Sequence, residues 1–73
     1  MAWRIVKQPD GLYARFSEVV DAFTHRDMTR SEAFDLCREE MGVHDAQQKM
    51  IRAESHPERW QEALDIIESR KLI

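Results

Sequence analysis

A single cysteine, Cys37, stands in the 73 residues, so the chain cannot close an internal disulfide. No apolar run nears the roughly 20 residues that a bilayer-spanning helix needs. The opening Met1-Ala2-Trp3-Arg4-Ile5-Val6 has the pattern of a strand, not of a charged-then-apolar leader. Together these absences set the expectation of a soluble, cytoplasmic protein in a reducing compartment, with no membrane partner. Glycine occurs twice, at Gly11 and Gly42, too sparsely for a phosphate-cradling loop. There is no excess of positive charge: the formal net charge is −3. Residues 1–30 hold five Lys/Arg against four Asp/Glu, and residues 31–73 hold six against ten. Non-specific nucleic-acid binding usually needs a basic footprint, which this distribution does not supply. The acidic excess is also too slight for a mimic of DNA.

Groups that carry chemistry are equally sparse. His25, Cys37, His44 and His56 lie twelve, seven and twelve residues apart. Structural zinc sites bring ligands in close pairs, which this spacing lacks, so core cysteine and surface histidines are expected. Cys37 falls on an apolar helical stripe with Phe34 and Met41, and its i+3 neighbour is Glu40. A reactive thiol needs an electropositive, partly exposed setting instead. The carboxylates Asp35, Glu39, Glu40, Glu58 and Glu62 are helical neighbours opposite the apolar stripes. They read as a solvated face, and so small a domain has little room for a catalytic cleft. The expectation is a non-enzyme without cofactor or metal.

What the chain does carry is a clear start to a fold. Ala2 to Gln8 reads as a strand with apolar residues on both faces. Pro9, Asp10 and Gly11 are turn residues: a preset φ, a side chain that bonds its own backbone, and tolerance of positive φ. From Leu12 to Ser17 the side chains alternate. Leu12, Ala14 and Phe16 share the face expected to be core; Tyr13, Arg15 and Ser17 share the face expected to be exposed. Residues 18–26 fit two patterns. Val19, Val20, Phe23 and Thr24 favour a strand, while the 19, 20, 23 spacing also suits a helical turn. A short third strand around Val20 to His25 is the preferred reading. A two-stranded hairpin alone is marginal in water and needs a further strand or helix.

Sheet gives way to helix at Thr29-Arg30-Ser31-Glu32, a capping box, with Met28 and Ala33 placed as a hydrophobic staple. The first helix is predicted from about Arg30 to Met41, with Ala33, Phe34, Cys37 and Met41 as its apolar stripe and Gly42 as its stop. Asp45 is predicted to cap a second helix that ends near Glu54 and is marked by Ala46, Met50, Ile51 and Ala53. Ser55 and Glu58 have capping-box spacing, and Pro57 suits a first turn. The last helix then runs from Pro57 to about Lys71, with Trp60, Ala63, Leu64 and Ile67 at i, i+3, i+4 and i+7. The whole is one α+β domain over residues 1–73. An antiparallel hairpin or three-stranded sheet (1–28) precedes three helices (29–73) packed on one face.

Function is read from what remains exposed. Val19, Val20, Phe23, Ile51, Ile66, Leu72 and Ile73 exceed what a small core needs, and contiguous apolar surface marks an interface. Arg4, Tyr13 and Arg15 are the expected contact residues, being of types enriched at binding hot spots. The leading expectation is a protein partner. The alternative is a nucleic-acid-binding regulator that stacks bases on the hairpin face. A domain of this size can also gain stability by self-association, so a homo-oligomer is a third arrangement.

The run from Arg4 to Thr24 (RIVKQPDGLYARFSEVVDAFT), with Met28 to Ala33 (MTRSEA), resembles small proteins encoded by phages and prophages. That resemblance implies an accessory role, as an inhibitor or modulator of a host system such as the anti-defence proteins, acting by binding a protein surface. Leu12 to Phe16 (LYARF) followed by Thr29 to Ala33 (TRSEA) is similar to the strand–strand–helix half of HicB-type antitoxins. That family pairs a partner-binding domain with a separate DNA-binding segment. This chain departs from it in lacking the glycine-rich turn and a DNA-reading motif in its C-terminal helices.

Overall fold

A computed structural model describes residues 2–71. Three strands are followed by three helices: β1 (Trp3–Lys7), β2 (Tyr13–Ser17), β3 (Ala22–Met28), α1 (Arg30–Met41), α2 (Val43–Ser55) and α3 (Arg59–Lys71). The strands form one antiparallel sheet in the order β1-β2-β3. This is the α+β architecture expected from the sequence, and residues 18–26 resolve into a turn and a strand. The β1–β2 turn closes as its residues dictate. Gly11 takes φ of 90° and donates its N–H to the Gln8 carbonyl at 3.0 Å. The Leu12 N–H donates to Asp10 Oδ1 at 3.0 Å.

The hairpin register assigns the faces. Trp3 opposes Ser17, Ile5 opposes Arg15 and Lys7 opposes Tyr13, so these six share one face. Arg4 opposes Phe16 and Val6 opposes Ala14 on the other. β3 is less regular. Tyr13 pairs Met28, Arg15 pairs His25 and Phe16 pairs Phe23, so β3 carries one extra residue between each successive pair. Each such bulge shifts the alternation by one. That is how Phe23 comes to one face while His25 and Met28 both lie on the other. Asp27 takes φ of 56° within the second bulge, a conformation that aspartate tolerates better than most residues.

Both faces of the sheet are covered. Trp3, Ile5, Tyr13 and Met28 are buried against Ala33 and Cys37 of α1 and Ala46, Met50 and Ala53 of α2. The small residues on the helices let them approach the sheet closely. Phe16, on the opposite face, meets Phe23 edge-on, and Phe23 stacks on Trp60 of α3. Val6, Ala14 and Phe16 are fully buried there, and Ala63 of α3 nearly so. Packing on a single face therefore holds for α1 and α2, while α3 closes the other side. The reason is the hairpin sequence: large apolar or aromatic residues stand on both faces, and each needs its own cover.

The α1 capping box forms in full, with the Glu32 N–H on Thr29 Oγ1 and the Thr29 N–H on Glu32 Oε1. Two other caps differ from expectation. Gly42, at φ 86° and ψ 170°, ends α1 and starts α2, so Asp45 lies in the first turn and no side chain caps that helix. Ser55 is the last residue of α2 and does not cap α3. Between the two helices His56 Nδ1 lies 3.0 Å from Glu58 Oε1. Leu72 and Ile73, expected as surplus apolar surface, lie outside the described residues, as does Met1. Among the described residues, no helix is long and apolar enough to cross a membrane.

Candidate functional site

The structure does not bring Arg4, Tyr13 and Arg15 together as an open surface. Tyr13 is only 4% exposed, on the face covered by α1 and α2. Its hydroxyl donates to Glu54 Oε1 at 3.1 Å, and the same oxygen accepts from Arg30 Nε at 2.7 Å. Burial, then the Glu54 hydrogen bond, pushes the Tyr13 phenol above its ordinary pKa. The Arg30 hydrogen bond holds the Glu54 carboxyl below its ordinary value. Arg15 lies in the same layer. Its guanidinium sits 4.4 Å from the centre of the Trp3 ring, with Nη1 3.5 Å from Glu40 Oε1 and Nε buried without a hydrogen-bond partner. Arg4 is on the opposite face and pairs with Glu18. The exposure expected of Tyr13 and Arg15 is thus corrected: both helices α1 and α2 stand over their face, and the charge and hydroxyl are spent inside.

Lys49 completes this internal cluster. Its Nζ donates to the Trp3 carbonyl at 2.7 Å and sits 4.5 Å from the Trp3 ring centre. A carbonyl at the outer rim of the first strand is thereby satisfied from α2. Burial lowers the Lys49 pKa and raises that of Cys37, which is fully enclosed as the sequence pattern implies. His25, His44 and His56 are exposed. Among the described residues, no group of three or more His, Cys, Asp or Glu is placed to hold a metal ion.

The open surface lies instead along β3. Residues 24–27 of this strand are exposed, and among the described residues its outer rim pairs with no other strand. On the α3 side, the Phe23 and Trp60 rings stack with centroids 5.1 Å apart and remain partly exposed. The Arg26 guanidinium lies 5.4 Å from the Phe23 ring centre and 5.6 Å from that of Trp60. No carboxylate among the described residues pairs with Arg26. Trp60 also walls a 430 Å³ cleft with Lys7, Pro9 and Pro57. Cation and aromatic faces attract by about 0.5–1 kcal/mol at exposed sites, so Arg26 is held yet free to meet another group.

One buried side chain sets this arrangement. The Gln8 amide accepts from the Asp27 N–H at 2.8 Å and donates to Asp27 Oδ1 at 2.9 Å. It thereby ties the end of β1 to the second bulge of β3, next to Arg26. Sequence reasoning missed Gln8, Arg26 and Trp60 as site residues. Trp60 belongs to the apolar stripe of α3 and reads as core, and nothing in the order of residues pairs Arg26 with it. Of the surplus apolar residues, Val19 is 74% exposed, and Val20, Ile51 and Ile66 are also at the surface. Comparison with family models, with curated proteins and with solved structures returns no match to this chain.

Proposed function

We propose that this chain is a small, non-enzymatic protein-binding accessory protein that works by covering part of a partner's surface. The phage-encoded inhibitors and modulators of host systems, anti-defence proteins among them, are the class it fits best. The observation that carries the reading is the partly exposed Phe23–Trp60 stack under Arg26, which pairs with no carboxylate among the described residues, on the rim of β3. Trp, Arg and aromatic side chains grouped in this way are the types that dominate binding hot spots. The phage assignment rests only on the resemblance of residues 4–24 and 28–33.

The test compares cross-linked partners captured by the wild-type chain, Arg26→Glu and Tyr13→Phe. A partner held by wild type and Tyr13→Phe and lost by Arg26→Glu supports the reading. Equal recovery by all three removes the β3 surface as the contact. The same cation over stacked rings also suits an unpaired base. Retardation of DNA or RNA at low salt, abolished by Arg26→Glu and weakening as salt rises, would replace the protein partner with a nucleic acid.

A further inference from the structure

The opposite side of β3 holds a second feature that the aromatic stack does not use. Between β3 and the outer flank of α1 lies a 340 Å³ cleft lined by His25, Met28, Glu32, Asp35, Leu36 and Glu39. Its floor is apolar: Met28 is buried and Leu36 half-buried. Its helical rim is acidic. Glu39 pairs with no cation among the described residues, and Glu32 accepts from the Thr29 N–H at 2.9 Å. That bond holds the Glu32 carboxyl below its ordinary pKa. Asp35 pairs with Arg38 at 3.5 Å, both side chains being exposed. Along the other wall runs the exposed rim of β3, with backbone groups that no strand takes up. Apolar floor, negative rim and open backbone call for one kind of occupant: an extended polypeptide segment with an apolar side chain flanked by lysine or arginine. The two bulges prevent a long ladder, so side chains carry the contact and the backbone adds little.

We infer that this cleft docks a short basic segment of a partner protein, its apolar side chain over Met28 and Leu36 and its cations against Glu39 and Asp35. This reaches beyond the aromatic surface proposed above and does not depend on it. A phosphate backbone is disfavoured here by the same rim that favours lysine and arginine.

Isotope-labelled protein titrated with a synthetic Lys-Leu-Lys-Leu-Lys peptide tests the assignment by amide and methyl shift changes. An acidic peptide with Glu in place of Lys is the control. Shifts confined to His25, Met28, Leu36 and Glu39, seen with the basic peptide only and fading with salt, are expected. Glu39→Lys, an exposed change on a formed helix, should weaken that binding by about 2- to 5-fold, whereas Arg26→Glu on the other side should not. No shift in the cleft, equal binding of the acidic peptide, or an unchanged affinity in Glu39→Lys would each overturn the inference. Loss through Arg26→Glu alone would assign the peptide to the aromatic surface instead.

Discussion

At the scale of single residues, the contrast between Tyr13 and Arg26 decides which side chains lie at the surface. Both belong to residue types that bind well, and only their surroundings separate them. The Tyr13 ring fills the layer between sheet and helices, and its hydroxyl shares Glu54 with Arg30. Tyr13→Phe keeps the ring and leaves Arg30 on the carboxylate. The expected cost is therefore one hydrogen bond, about 1 kcal/mol, read as a lower urea midpoint with an unchanged slope. No loss beyond scatter would mean that the hydroxyl is already hydrated in the folded state. Arg26 pairs with no carboxylate among the described residues, so its replacement should cost no more than the attraction to the Phe23 and Trp60 rings, about 0.5–1 kcal/mol.

At the scale of elements, β3 is where local irregularity makes the site. Without its bulges, His25 would share the face of Phe23 and leave the wall of the acidic cleft. Gln8 holds the second bulge by two bonds to Asp27. Gln8→Leu removes both and is expected to cost about 1–3 kcal/mol, measured by thermal or urea unfolding. It should also shift the amide signals of residues 24–28 more than those of β1. A uniform small change would show that the bulge stands without Gln8. The elements themselves were largely legible in the sequence. Pro9 to Gly11 and the alternation after it located the hairpin, and Thr29 to Glu32 located the start of α1. Those signals are local, encoded within four or five residues. The faces were not legible, because alternation cannot say that both sides are buried when Trp3, Ile5 and Tyr13 oppose Val6 and Phe16. The bulges escaped notice too, since an extra residue leaves no mark until a partner strand sets the register. Asp45 and Ser55 read as caps from their spacing, yet Gly42 stands at the start of α2 without a side-chain bond and Ser55 is the last residue of α2.

At the scale of the whole molecule, one thin sheet is closed by α1 and α2 on one side and by α3 on the other. A chain of 73 residues has a total stability of about 4–11 kcal/mol on the usual per-residue scale. It therefore gains from burying aromatic residues on both faces, and the hairpin expected to bind a partner is drawn into the core. The open surface is what remains, the rim of β3. The claim that the accessible aromatic surface lies at β3 and not on the hairpin face is tested most directly by hydroxyl-radical footprinting of the native protein, read residue by residue by mass spectrometry. Trp60 and Phe23 are expected to be modified well above Trp3, Tyr13 and Phe16, with all five converging once the chain is unfolded in denaturant. Tyr13 modified in the native protein as readily as in the unfolded chain, with Trp60 protected, would contradict it.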